Sequence, residues 1–254
     1  MKGPNTKESG SFYGKRGNEL ERTLVQLFNN EKSLSELKKG KLKEGNIFTL
    51  ILERLLTDNN ISLKNITTIF ATNTIPQLKN RGHAKTDIYI TITTKSEKQI
   101  TETISIKNST KSKVSCHDYP AKDFIRVLKC ESTRLADYLN LFQQFPSYRG
   151  FESNLKVGYS TEEFVKLLSK KSKIFTEWAL TGKHDSHNLT DPQIQISKYL
   201  LLVGNEKIAF YLIDEYIEII SERDKNKFGV PFSWTYPSKQ RGKRIQLKLP
   251  IFFK

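Results

Sequence analysis

The chain has 254 residues, enough for one large domain with a buried core, and its 37% hydrophobic and 27% charged residues are the proportions of a soluble globular protein. Lys and Arg outnumber Asp and Glu by 42 to 27, a formal net charge of +15, which points to a polyanionic partner: nucleic acid first, an anionic membrane second. The membrane is the poorer fit, since no stretch approaches the roughly 18 apolar residues of a span and no basic amphipathic helix stands out as an anchor.

The opening stretch, MKGPNTKESGSFYGKRG, is polar and lacks the apolar run of a signal peptide, so a cytoplasmic location is expected. NELERTLVQLFNN (18–30) spaces Leu20, Leu24, Leu27 and Phe28 as a helix does, with Gly17 just before it. NIFTLILERLLTDNN (46–60) reads as a second, largely buried helix. Two runs of alternating apolar and polar residues, 86–94 and 99–107, read as the arms of a solvated hairpin around a charged turn. Helices are predicted over 121–129, 132–145 and 160–182, the last with Ser160 and Glu163 at capping-box spacing. Residues 193–221 predict a hairpin turning at Gly204-Asn205, followed by a further strand or a short helix. The tail, FSWTYPSKQRGKRIQLKLPIFFK (232–254), reads as strand, basic loop, strand. Helices, strands, helices and strands in that order predict one domain over 1–254, of mixed α/β (α+β) class, with a central mixed sheet flanked by helices. Cys116 and Cys130 imply no disulfide framework and read as two small buried thiols of a reduced compartment.

The hairpin carries the candidate chemistry. Alternate residues of a strand share a face, so Ser105 and Lys107 point one way and Ile104 and Ile106 the other. Asp87 opens the neighbouring arm and can meet Ser105 and Lys107. A carboxylate holds a hard divalent cation through oxygen, and an ammonium group beside it can orient a water or stabilise charge on a phosphate under attack. By spacing alone, Asp87 and Lys107 read first as ordinary charges of a wet hairpin, since such charges are frequent at strand ends. Glu102 has the parity of the other face.

KTDIYITI followed by SIKNSTKSKVS resembles the core of the MspI-type restriction endonucleases, type II enzymes of the PD-(D/E)XK nuclease superfamily. GNELERTLVQLF is similar to that family's N-terminal helix, and FSWTYPSKQRGKRIQLK to its C-terminal DNA-reading segment. The resemblance implies a magnesium-dependent site-specific endonuclease with a restriction-endonuclease-like core, cutting double-stranded DNA at a short palindrome. The best guess for the target is CCGG. It implies Asp87 as metal ligand and Lys107 as catalytic lysine. Ser105 falls where most of the superfamily keeps an acid, so the second metal contact is left to the Ile106 carbonyl, to water held by Ser105, or to Glu21 on the first helix. Glu21 reads equally as a solvated helix carboxylate.

In the tail, Lys239, Arg241, Lys243, Arg244 and Lys248 are interleaved with Thr235, Ser238, Gln240 and Gln246. A bare charge run is a solvated loop; interleaved amides and hydroxyls suit base edges, and cations suit phosphates. The resemblance implies base contacts by Thr235, Ser238, Gln246 and Lys248, and phosphate contacts by Ser109, Lys111 and Lys113 after the catalytic strand. Trp234 and Tyr236 can stack on bases, but Trp234 reads better as a strand tryptophan beside the core, since cutting a duplex requires no unstacked base. GKHDSHN (182–188) fits no zinc spacing and reads as a polar loop capping the preceding helix. His83 and His117 lie near the expected site. The partners expected are duplex DNA and a cognate DNA methyltransferase of the same system, not a membrane. The alternative function is a non-catalytic, sequence-specific DNA-binding protein with a vestigial nuclease site, which Ser105 keeps open; a structure-selective or RNA-directed nuclease is a third.

Overall fold

The computed structural model describes residues 10–42, 45–204, 206–223 and 227–253. In chain order its strands are β1 (Ile66–Thr72), β2 (Ile88–Thr94), β3 (Gln99–Asn108), β4 (Lys113–Tyr119), β5 (Tyr199–Gly204), β6 (Lys207–Leu212), β7 (Ser233–Thr235) and β8 (Ile245–Pro250). Five of them form a mixed sheet in the order β1-β2-β3-β5-β6, and the others a small sheet in the order β4-β8-β7. In the large sheet β3 and β5 run parallel, and the other neighbours are antiparallel. A parallel pair needs a long crossover. Here it is the stretch 109–198, which carries β4 and most of the helices.

Three helices, α1 (Gly10–Phe28), α2 (Glu31–Lys38) and α3 (Ile47–Asp58), precede the sheet. Leu24, Phe28, Phe48 and Leu52 pack there on Ile88, Ile90 and Ile92 of β2 and Ile104 of β3. Each of those β2 isoleucines is fully buried and contributes roughly 1.5–3 kcal/mol of hydrophobic stabilisation. The second cluster takes the other parity of β5, Leu200 and Leu202, together with Leu247 and Leu249 of β8. It is closed by α4 (Ala121–Leu128), α5 (Arg134–Gln144), α6 (Tyr148–Ser153), α7 (Thr161–Ser169) and α8 (Ser172–Thr181), with α9 (Pro192–Gln195) leading into β5 and α10 (Ile213–Glu222) following β6. Strand parity therefore divides the molecule. Ile104 and Ile106 face the α1–α3 layer, as alternation requires, while Ser105 and Lys107 are on the other side of β3.

Several expectations are corrected. The hairpin is not solvated: β3 is paired on both sides, and residues 102–106 along it are buried. The first helix begins at Gly10, so Gly17 lies inside it rather than before it. A single interior glycine costs about 1 kcal/mol against alanine and does not stop a helix. The helix expected over 160–182 is two. The chain turns at Lys170–Lys171, where the Lys171 N–H reaches the Leu168 carbonyl at 2.9 Å. The Ser160 cap holds, accepting from the Glu163 N–H at 3.1 Å. After the β5–β6 hairpin the chain is helical; Asn205 of its expected turn, and the residues of the N-terminal stretch before Gly10, lie outside the described residues. Both cysteines are free and buried. Trp234 packs in the second cluster, stacked on Phe175 with ring centres 5.6 Å apart.

Candidate active site

The register of β2 on β3 pairs Ile88 with Ile104, so one step outward Asp87 stands opposite Ser105, with Lys107 just beyond. The Asp87 N–H donates to the Ile104 carbonyl at 2.9 Å, extending the ladder to the residue that matters. One carboxylate oxygen, Asp87 Oδ2, then gathers three donors: the Ile106 N–H at 2.5 Å, the Ser105 hydroxyl at 3.2 Å and Lys107 Nζ at 3.3 Å. Lys107 Nζ also donates to Ser105 Oγ at 2.8 Å and to the Ile106 carbonyl at 3.0 Å. Charge-assisted bonds of this kind fix both side chains. Ser105 is only 1% exposed, whereas the side chains of Lys107 and Asp87 keep 17% and 25% of their surface open to solvent. The serine holds the pair together from behind, and the two charged groups face out.

Glu21, on α1, lines a cleft of about 450 Å³ with Asn18, Arg22, His83 and Asp87. Its carboxyl is pushed up to about 7, first by burial and then by the negative charge of Asp87, against the pull of Lys107 and Arg22. Glu102 is elsewhere, as its parity requires. It is buried, and it accepts from Lys198 Nζ and from the Asn59 side chain, each at 2.7 Å.

A second cleft, of about 710 Å³, joins Asp87 and Lys107 to the tail. Its far wall is the small sheet. On β8, Ile245, Leu247 and Leu249 are fully buried, which turns Gln246 and Lys248 to the other face. Gln246 pairs with Thr235 and with Asp118, and Lys248 with Ser233 and Ser115. Gln246, Arg244 and Ser115 line the same cleft as Asp87. Ser238, Lys239, Arg241 and Lys243 are exposed between the strands, with Arg241 over the Tyr236 ring at 5.3 Å. Arg244 is partly engaged: its Nη1 donates to the Asp118 carbonyl at 3.2 Å.

One sequence expectation shifts. Ser109, expected at a phosphate, is buried, and its hydroxyl accepts from the Lys111 N–H at 3.0 Å, shaping the turn after β3. Lys111 is exposed on that turn. Lys113 is the first residue of β4, exposed, and its Nζ reaches Ser233 Oγ at 2.5 Å across the small sheet. His117 is 2% exposed among Tyr119, Phe124 and Trp178, and burial first, then Lys85, holds its ring well below the usual imidazole range. His83 is exposed on the rim of both clefts. In the 182–188 loop, Asp185 is buried against Arg126 and accepts from the Asn188 side chain at 3.0 Å, while His184 contacts Glu177; this is a structural loop. Among the described residues no three His, Cys, Asp or Glu side chains cluster as a metal site.

Sequence reasoning missed Lys85. Its Nζ donates to the Cys116 carbonyl at 2.8 Å and lies 5.2 Å over the Tyr119 ring. Burial, the largest cause, pulls this ammonium down to about 8. The signal available was its position, two residues and one strand period before Asp87.

Among the described residues no helix is long and apolar enough to cross a membrane. The family model for the restriction endonuclease MspI matches residues 2–249. A type II restriction enzyme of Bacillus subtilis, BsuFI, is 32% identical over 244 residues; the match covers 91% of this chain, which spans 58% of that enzyme's length. The type II restriction enzyme MspI of Moraxella sp is 23% identical over 240 residues, covering 91% of this chain and 88% of that one. A crystal structure of MspI in complex with its cognate DNA superposes with a TM-score of 0.76 at 22% identity, over 96% of this chain and 93% of that chain.

Proposed function

The chain belongs to the restriction endonuclease MspI family, and from that premise we propose that it is a type II site-specific endodeoxyribonuclease, hydrolysing phosphodiester bonds of double-stranded DNA at a short palindrome. The observation that carries the reading is the shared cleft. The Asp87–Ser105–Lys107 cluster stands at one wall and Gln246 of the reading strand at the other, so one duplex can be cut and read at once. The +15 charge supplies the sequence-independent attraction such an enzyme needs. CCGG is the target the family resemblance favours. A single domain, a cytoplasmic setting and a cognate methyltransferase belong to the same proposal.

Magnesium fits the donor set. The groups available are hard oxygens, from Asp87, the Ile106 carbonyl and Glu21, and a divalent cation would offset both the burial and the Asp87 charge that raise the Glu21 carboxyl. Asp87 and the Ile106 carbonyl would hold the ion, with Glu21 as the further carboxylate. When bound, magnesium supplies positive charge for the scissile phosphate and acidifies a coordinated water. Lys107 orients the attacking water and stabilises charge developing on the phosphate, from a position that Ser105 and Asp87 fix. Base contacts fall to Thr235, Ser238, Gln246 and Lys248, and phosphate contacts to Lys111, Lys113, Lys239, Arg241, Lys243 and Arg244.

Digestion of a defined plasmid tests this. Discrete fragments with magnesium, none with EDTA and none from Asp87→Ala are expected, and sequencing the ends gives target and stagger. Binding without cutting would instead favour the regulator with a vestigial site, for which the neutral Ser105 is the motivating feature. Cutting without discrete fragments would sink site specificity.

A further inference from the structure

The pairing of β4 with β8 is interrupted between Ser115 and His117, leaving Cys116 without a partner in the ladder register. Irregularities of this kind re-aim backbone groups and recur beside active sites. The Cys116 carbonyl is taken by Lys85, whose ammonium reaches it from the segment leading into β2 at 2.8 Å. The contact is held on several sides. The ammonium lies 5.2 Å over the Tyr119 ring of β4. The stem lies under the left-handed Gly182 that ends α8, where an added Cβ would stand 3.2 Å from Lys85 Cγ. The next residue, Thr86, is 4% exposed and accepts from the Ser197 hydroxyl at 3.3 Å. Asp87 follows immediately. On the other side of the bond, Ser115 is paired with Lys248 and His117 with Leu247. The Lys85 side chain thus joins the segment carrying the cluster's carboxylate to the small sheet that holds the tail strands.

We propose that Lys85 is a positioning residue that couples the reading sheet to the cutting site. Seating of β4 and β8 on DNA is transmitted through the Cys116 carbonyl and Lys85 to the placement of Asp87. This rests on the functional reading above and adds a residue and a role to it. Lys85 acts through Asp87, so its loss lowers the rate of cutting rather than the affinity for DNA.

The test uses the full chain as wild type, Lys85→Met and Lys85→Arg, with a duplex carrying the site mapped from sequenced ends. Affinity is measured in EDTA at several salt concentrations, and cleavage in single turnover with magnesium at saturating enzyme. Lys85→Met is expected to bind within about threefold of wild type with an unchanged salt slope, and to cut about 10- to 100-fold more slowly, the usual size of a supporting-group effect. Lys85→Arg, which keeps a donor for the Cys116 carbonyl, is expected to recover most of the rate. An unchanged rate in Lys85→Met overturns the proposal. So does a fall in affinity with a shallower salt slope, which would make Lys85 a phosphate contact. If Lys85→Met does not fold, Lys85→Gln is measured on the same axes, with slower cutting at unchanged affinity supporting the proposal and weaker binding overturning it. A wild type that cuts no DNA overturns the functional reading and this inference with it; a wild type that cuts no faster than the variants overturns the inference alone.

Discussion

Replacing Glu21 with Gln isolates the electrostatic cost of the α1 carboxylate while keeping its shape. The Glu21 carboxyl rises from 4.5 to about 7 through burial first and the Asp87 charge second. An acid with a raised folded-state pKa leaves stability intact below its unfolded value. The protein then loses stability as pH climbs from 4.5 through 7, because the unfolded chain ionises first. Glu21 is only half-buried, so after discounting for solvent screening the full cost above pH 7 is about 1–2 kcal/mol. At this chain length each kcal/mol moves the melting temperature by about 2–4 °C. In EDTA, Glu21→Gln is therefore expected to melt with wild type near pH 4.5 and several degrees above it at pH 8. Millimolar magnesium should narrow the gap at pH 8, since a cation between Glu21 and Asp87 stabilises only the charged pair. Differential scanning calorimetry across that range is the assay. A melting difference that does not change with pH, or a variant less stable at pH 8, would refute the reasoning.

Lys107→Ala should reduce cleavage by about a thousandfold or more while binding in EDTA survives, read by gel shift beside a single-turnover assay; comparable losses in both would make Lys107 a binding group only. Lys248→Ala should cost about 1–3 kcal/mol of discrimination at one base pair, whereas Lys111→Ala should weaken all sequences alike and lower the salt slope by about 1. Equal behaviour of the two on cognate and scrambled duplexes would contradict that division. Gly204→Ala forces a Cβ to within 1.9 Å of the Ser109 carbonyl oxygen, a backbone atom with no freedom to swing away. A loss of at least about 2 kcal/mol in urea unfolding is expected, and a variant as stable as wild type would mean that this close approach is absent.

The candidate site was legible because strand parity is local. Ser105 and Lys107 share a face whatever surrounds them, and the β2–β3 register brings Asp87 opposite. What alternation could not convey was the neighbour across β3. Parallel pairing with β5 joins residues about 95 positions apart, so the hairpin read as wet when its second arm is interior. β4 was hidden for a related reason. Its central run, Ser115-Cys116-His117-Asp118, alternates poorly because the ladder is irregular there, and it becomes a strand only by pairing with β8 at the other end of the chain. Lys85 was lost with it, since its partner is a main-chain carbonyl on that same strand. Ser109 failed differently: a serine after a strand looks solvent-facing in sequence, but the fold buries it where the Gly204 backbone closes on the Ser109 carbonyl.

Ser105 bears on why the first helix matters. A neutral hydroxyl, 1% exposed and already bonded to Asp87 and Lys107, adds no charge to the cleft, so β2 and β3 together present one carboxylate and one ammonium there. A second carboxylate lies nearby, on a different element. Glu21 lines a cleft with Asp87, and its carboxyl is raised by burial first and by the Asp87 charge second. Two carboxylates of which one is poised near neutrality suit a hard cation whether both come from one hairpin or one is lent by a helix, because the ion responds to oxygen donors and charge, not to chain connectivity. On the proposed reading the site's second carboxylate comes from α1, and a reading of the cluster as vestigial has to account for a half-buried carboxyl that otherwise only costs stability.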